Sequence, residues 1–163
     1  MKVKSPDKTT TTNTANEGGS NRLESIRSVR RNTAARTGSK SLHTDTMEDY
    51  LEVIYELIER KGYATTIDIS NYLNVSSPSV TKMVQKLDET GHVRYEKYRG
   101  ITLTREGIAI AQGIRNRHSL LVEFLRIIGV NEGIANIDAE GLEHHMHPET
   151  LQKLEEFVKS TKK

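Results

Sequence analysis

The sequence predicts a mainly α-helical protein, a winged helix-turn-helix domain followed by an all-helical domain. Three observations carry this expectation. Apolar residues recur at helical spacing from Met47 almost to the end of the chain. One stretch, residues 92–103, breaks that rhythm with strand-like alternation on both sides of Gly100. Ahead of it stand a long helical segment, a short one, a tight turn and a third segment, the order of a winged helix-turn-helix.

The first element is the stripe Met47, Leu51, Ile54, Tyr55 and Ile58, with Thr44 or Thr46 as its cap and Gly62 as its stop. A shorter helix fits Thr66 to Leu73, and Asn74-Val75 make the turn. Ser76-Ser77-Pro78 open a third helix, where a proline in the first turn costs little. Its buried face is Val80, Met83, Val84 and Leu87, and Gly91 ends it. The hairpin follows, and Thr104 caps a long helix running to about Ile128, with Gly129 after it. A further helix spans about Asn131 to His145. Pro148 opens the last, through Leu151, Leu154, Phe157 and Val158.

The segment before these elements differs in kind. Residues 1–45 hold nine Lys/Arg against four Asp/Glu, a balance of +5, whereas residues 46–163 hold fifteen against eighteen, a balance of −3. The tail is rich in Thr, Ser, Asn and Arg and has no sustained apolar period, so it is expected to be disordered. It reads either as a solvated extension, with Met47 as a candidate start, or as a basic arm that strengthens DNA binding. The expected division is a basic tail at 1–45, a winged helix-turn-helix at 46–104, and a helical dimerisation and metal-binding domain at 105–163.

Absence of cysteine excludes disulfide stapling and thiolate metal sites. No apolar run approaches the ~18–20 residues of a membrane span, and the N-terminus lacks the apolar core of a secretory signal. A cytoplasmic protein without membrane association is the expectation.

The third helix is the candidate recognition helix. With its apolar face turned inward, helical geometry points Pro78, Lys82, Gln85 and Lys86 outward, flanked by Ser79 and Thr81. The hydroxyls of Ser76, Ser77 and Ser79 at the helix N-terminus permit close approach to bases and suit phosphate. Lys82 and Lys86 supply charge, and Gln85 can pair with adenine. The hairpin tip Lys97-Tyr98-Arg99 can reach a neighbouring groove. The plainer readings are a winged helix used for protein contacts and an ordinary solvated hairpin turn; basic residues on two elements expected to face one surface favour DNA.

Three helices also carry candidate metal ligands. Asp49 and Glu52 are three apart and share a face of the first helix, opposite its apolar stripe; alone they read as a solvated acidic face. His118 lies in an apolar row with Ile114, Leu121 and Leu125, which also suits a core histidine. In Glu140-GLEHHM-His147, Glu140, Glu143 and His144 are spaced i, i+3, i+4 on one face. His145 is rotated away, and His147 precedes a proline and leaves the row. Together these supply four carboxylates and two imidazoles, an O/N set without sulfur that suits a hard to borderline divalent ion such as Mn²⁺.

At these residues the chain resembles the manganese-type branch of the diphtheria-toxin-repressor family of metal-dependent transcription factors. The strings that carry the resemblance are Met47-EDYLEVIYELIERKGY-Ala64, Ser79-VTKMVQKLD-Glu89, Tyr95-EKYR-Gly100, Phe124-LRIIG-Val130 and Glu140-GLEH-His145, within residues 46–160. It implies a homodimer that binds Mn²⁺, two ions per subunit, and then palindromic operator DNA, repressing manganese-uptake genes. The family's binuclear site maps onto Asp49, Glu52, His118, Glu140, Glu143 and His144, with Glu52, Glu140 and Glu143 as bridging carboxylates. Iron-tuned relatives have Met at the Asp49 position and Cys at the Glu143 position, so the oxygen ligands here imply manganese. Those relatives also carry a C-terminal SH3-like domain, for which residues after Val158 are too few. Leu120, Leu121, Phe124, Leu125 and Ile128 are the expected dimer contact. The competing readings are a winged-helix regulator of another divalent metal (Fe²⁺ or Zn²⁺) or of a small molecule, a relative that activates, and, remotely, a metal-dependent hydrolase. The last lacks a nucleophile motif, a phosphate loop and HExxH.

Overall fold

The computed structural model describes residues 41–96 and 100–162, with side chains from residue 45 onward. The predicted basic tail through residue 40 and the hairpin tip Lys97, Tyr98 and Arg99 lie outside the described residues. Six helices and one two-stranded sheet follow in order: α1 (Ser41–Lys61), α2 (Thr66–Leu73), α3 (Ser77–Glu89), β1 (Val93–Glu96), β2 (Gly100–Leu103), α4 (Arg105–Ile127), α5 (Glu132–Leu142) and α6 (Pro148–Thr161).

The first helix begins at Ser41, before the expected cap and inside the segment assigned to the tail. No glycine or proline stands between Gly38 and Gly62, so nothing in the covalent chain stops the helix at Thr44 or Thr46. The expected stripe accounts for only part of its buried surface. Tyr50, Val53 and Leu57 are buried alongside Leu51 and Ile54, because α2, α3, β2 and α4 all pack against this helix. Glu52 and Glu56 are buried too, at 1% and 4% exposure, so the acidic side of α1 is an interior face rather than a solvated one.

Local chemistry fixes the helix-turn-helix. Thr65 and Asp68 form a capping box: the Asp68 amide donates to Thr65 Oγ1 at 3.2 Å, and the Thr65 amide donates to Asp68 Oδ2 at 3.1 Å. Asn74 takes the left-handed conformation (φ 52°) that closes the turn. Ser76 caps α3, and Val80, Val84 and Leu87 are fully buried in one core with Leu51, Ile54, Ile69 and Val93. In the wing β1 and β2 pair antiparallel, with Val93 opposite Leu103 and Glu96 opposite Gly100. A further bridge ties Ile101 to Ala64, where the Ile101 amide donates to the Ala64 carbonyl at 3.3 Å.

Thr104 joins the wing to α4. Its hydroxyl donates to the Gly91 carbonyl at 2.8 Å and accepts from the Gly107 amide at 3.1 Å. Gly107 is buried so tightly that a Cβ would stand 2.0 Å from the His92 carbonyl oxygen. On the other side of α4, Ile114, His118 and Leu121 are buried, as are Ala135 and Ala139 of α5 and Val158 of α6. Phe124 meets Phe157 edge to face at 5.8 Å. Leu121, expected at a dimer contact, is only 1% exposed within the chain and is core, because α5 and α6 fold back onto α4. Helix α5 ends at Leu142, not His145; Glu143 is its C-cap in right-handed geometry and His144 lies in the turn beyond.

Gly107→Ala is therefore expected to lower stability by about 2 kcal/mol or more, since backbone must move to admit the methyl group. Gly113→Ala, in mid-α4, would bring a Cβ only within 3.8 Å of an Arg117 nitrogen. It should be neutral or stabilising by up to about 1 kcal/mol. Thermal unfolding of the two variants checks the contrast.

Candidate metal centre and DNA-reading surface

Two imidazoles and a shared carboxylate organise the centre. Helix α4 buries His118 at 4% exposure, and α5 brings Glu140 and Glu143 against it. His118 Nδ1 lies 3.0 Å from Glu143 Oε2 and 3.4 Å from Glu140 Oε2. One ligand atom from each of these three buried residues falls within 4.8 Å of the others. The opposite oxygen, Glu143 Oε1, lies 3.6 Å from Nε2 of His144. That nitrogen is 3.3 Å from Asp49 Oδ1, so α1 is drawn into the same cluster.

The predicted residues thus fall into two lobes. His118, Glu140 and Glu143 form one. His144 and Asp49 form the other, reached through Glu143. The expected single row of Glu140, Glu143 and His144 is divided, because the helix ends at Leu142 and His144 turns toward α1. Glu52 is fully buried on α1 three residues beyond Asp49, but it is not among the three residues grouped around His118. His145 and His147 are exposed, as expected.

Three neighbours of the cluster are not among the residues the sequence singles out. Glu48 Oε2 lies 2.9 Å from His144 Nδ1 and accepts from Arg117 at 3.0 Å. Asn136 Oδ1 lies 3.3 Å from His118 Nε2. The signal for two of them is present as spacing: Glu48, Glu52 and Glu56 recur every four residues on α1, and Asn136 precedes Glu140 by four on α5.

The donor set fits a divalent cation. It is buried, convergent and made of carboxylate oxygens and imidazole nitrogens, the chemistry of hard to borderline ions. Closely spaced buried carboxylates are costly to keep charged without positive charge beside them. In the protein alone His144 supplies some of that charge. Burial pushes its pKa down, but hydrogen bonds to Asp49 and Glu48 and the charges of Asp49 and Glu143 outweigh burial and hold it up at about 10.

In the winged helix-turn-helix, α3 and its cap present Ser76, Ser77, Pro78, Ser79, Lys82 and Gln85 to solvent. Ser76 Oγ and Ser79 Oγ are hydrogen-bonded at 2.8 Å, and the Thr81 hydroxyl donates to the Ser77 carbonyl at 3.0 Å, so Thr81 is half-buried and turned back onto the helix. Lys86, expected outward, is half-buried at the edge of this surface.

A helix-turn-helix with a wing, joined to a helical domain whose interior holds imidazoles and carboxylates, defines a metal-binding DNA-binding regulator. Comparison with known proteins agrees. The iron dependent repressor N-terminal DNA binding domain matches residues 43–101, and the metal binding and dimerisation domain of the same family matches residues 104–163. The chain belongs to the iron dependent repressor family. It is 51% identical over 115 residues to the HTH-type transcriptional regulator MntR of Geobacillus thermodenitrificans (strain NG80-2), covering 71% of this chain and 82% of that protein. Among solved structures it is similar to the manganese regulator SloR (TM-score 0.61, 32% identity, 69% of this chain and 53% of that one). It is also similar to a manganese-dependent transcriptional repressor in complex with manganese (TM-score 0.63, 27% identity, 69% and 52%). The chain spans about half the length of these solved structures. No helix among the described residues is long and apolar enough to cross a membrane.

The pKa of His144 carries a pH dependence. A histidine held near 10 when folded and near its ordinary 6.5 when unfolded stabilises the fold fully below about 6.5, and that contribution is lost as pH rises through about 10. Metal-free protein is expected to lose thermal stability between these values, and His144→Gln is expected to lack that component. Unfolding curves from pH 6 to pH 10 in a chelator measure it.

Proposed function

We propose that this protein is a Mn²⁺-responsive transcriptional repressor that binds a palindromic operator as a homodimer and controls manganese uptake. The observation that carries the reading is the bond from Asp49 to the His144 side of the cluster. It places a candidate ligand of the helical domain's pocket on α1, the helix at the centre of the DNA-binding core.

Asp49, Glu52, His118, Glu140, Glu143 and His144 would hold the metal, as two ions per subunit, and the grouping of His118, Glu140 and Glu143 supports that assignment. The similarity to manganese regulators and the all O/N donor set support manganese over a sulfur-seeking ion. The bound cation supplies positive charge that offsets the repulsion among the carboxylates. His118 and His144 offer ring nitrogens from α4 and from the turn after α5, and Asp49 and Glu52 offer oxygens from α1. Four separate segments are then held to one another, which narrows the range of positions open to the recognition helix. In a two-fold dimer this sets the distance between the two copies of α3, and hence the half-site spacing of the operator. Ser79, Lys82 and Gln85 read the groove, with Ser76, Ser77, Pro78, Thr81 and Lys86 around them. Exposed apolar residues on the helical domain, Ile128, Ile134, Ile137 and Leu142 among them, offer the surface for the second subunit.

Selection from a random duplex library with Mn²⁺ present should return one inverted repeat, and without Mn²⁺ none. Enrichment of the same repeat in a chelator would overturn the metal-responsive reading. Lys82→Ala should weaken binding to all duplexes alike and lower the log–log salt slope by about one. Asp49→Met should shift preference away from Mn²⁺; unchanged preference would remove the selectivity argument.

A further inference from the structure

The two histidines meet the carboxylates through different nitrogens. His118 turns Nδ1 toward Glu140 and Glu143, whereas His144 turns Nε2 toward Asp49 and Glu143. In each ring the remaining nitrogen faces a residue outside the proposed ligand set. For His118 that residue is Asn136, whose Oδ1 lies 3.3 Å from Nε2. The amide's orientation is fixed independently, since Asn136 Nδ2 donates to the Glu132 carbonyl at 2.8 Å, which leaves Oδ1, an acceptor only, toward the ring. Nε2 is therefore the nitrogen held as a donor, and Nδ1, which faces the carboxylates, is the one that would give up its proton to a cation. For His144 the residue is Glu48, whose Oε2 lies 2.9 Å from Nδ1. A carboxylate accepts only, so Nδ1 is held as a donor here, and Nε2, which meets Asp49 and Glu143, is the nitrogen that would give up its proton to a cation. Glu48 is itself steadied by Arg117, which donates to the same oxygen at 3.0 Å from one residue before His118.

Resting on the function proposed above, we infer that Asn136 and Glu48 are positioning residues. With a cation bound they would hold His118 and His144 in opposite tautomers, so that Nδ1 of one and Nε2 of the other are presented to the same pocket. A metal ligand must offer a lone pair, and the partner of a ring's other nitrogen decides which nitrogen offers it. The two residues also divide the work between domains. Asn136 acts within the helical domain, from α5 to α4. Glu48 acts across domains, joining α1 to α4 through Arg117 and to the turn after α5 through His144. Asp49 reaches His144 from the pocket side and Glu48 from the outer side, so the ring is gripped by adjacent residues of one helix.

This role differs in sign from a simple charge effect. If Glu48 acted only as added negative charge, Glu48→Gln would weaken metal binding as much as Glu48→Ala, and Arg117→Ala, which removes a nearby cation, would strengthen it. A positioning role predicts the reverse. The glutamine carbonyl oxygen can still accept from His144 and Arg117, and loss of Arg117 leaves Glu48 free to swing off the ring.

The test uses the full chain in two measurements. In Zn²⁺-loaded protein, diamagnetic and therefore visible to NMR, two-bond proton–nitrogen correlations should show the ring proton of His118 on Nε2 and that of His144 on Nδ1. The same tautomer in both rings, or the opposite assignment, would overturn the inference. Calorimetric titration with Mn²⁺ should then show about tenfold or greater weakening for Asn136→Ala and Glu48→Ala, by analogy with other metal-site supports. Glu48→Gln and Asn136→Asp should recover most of the affinity, and Arg117→Ala should weaken rather than strengthen it. Glu48→Gln falling with Glu48→Ala, or tighter binding in Arg117→Ala, would refute positioning while the proposed function stands. Wild-type protein that binds no Mn²⁺ would refute both.

Discussion

Glu52, Glu140 and Glu143 are each at most 4% exposed, and His118 among them is equally buried. Carboxylates in such a setting are costly to keep charged unless positive charge or hydrogen bonds answer them. The rest of the helical domain's interior is apolar, with Ile114, Leu121, Ala135, Ala139 and Val158 buried. It is polar at the place where α1 arrives. On the function proposed above, a cation supplied there would offset the buried negative charge and so couple stability to an outside ligand.

The seam between α1 and α4 shows how this reaches the DNA-binding domain. Along it run Glu48 with Arg117, Glu56 with Arg115 at 3.8 Å, and Tyr55 with Gln112 at 3.3 Å. A polar seam fixes register through paired groups, yet contributes little net stability when partly exposed. The opposite side of α1 is different: Leu51, Val53, Ile54 and Leu57 lock it to the helix-turn-helix core. The helix is thus packed into the core that carries the recognition helix, and it meets the helical domain through charged pairs as well as through Ala111 and Ile110 of α4. Such an element can transmit a binding event without a change of fold.

Much of this architecture is legible in the sequence. Element order, the helix starts at Ser76 and Thr104, the turn at Asn74 and the inward face of α3 follow from local rules, and each stands where those rules place it. Other features are not legible, for physical reasons. Helix α1 is buried on several sides, so a one-face reading at period 3.6 recovers Leu51 and Ile54 but misses Val53 and Leu57. Leu121 reads as interface because sequence cannot say whether an apolar stripe meets its own chain or another. The division of Glu140, Glu143 and His144 depends on where α5 stops, and element ends are set by tertiary partners more than by propensity. Glu48 and Asn136 share helical spacing with Glu52 and Glu140, but that spacing does not mark their role, because a residue that orients a ligand carries no chemistry of its own. Only its distance to the ring distinguishes Glu48 from a surface acid.

The central claim is that the pocket and the recognition helix share α1, so the two binding equilibria must be linked in both directions. The most direct measurement is the Mn²⁺ affinity of the full chain with and without a saturating duplex that carries its selected inverted repeat. The account predicts tighter Mn²⁺ binding on the duplex, by about 5- to 150-fold, and tighter duplex binding in Mn²⁺ by the same factor. Equal Mn²⁺ affinity in the two conditions would contradict it.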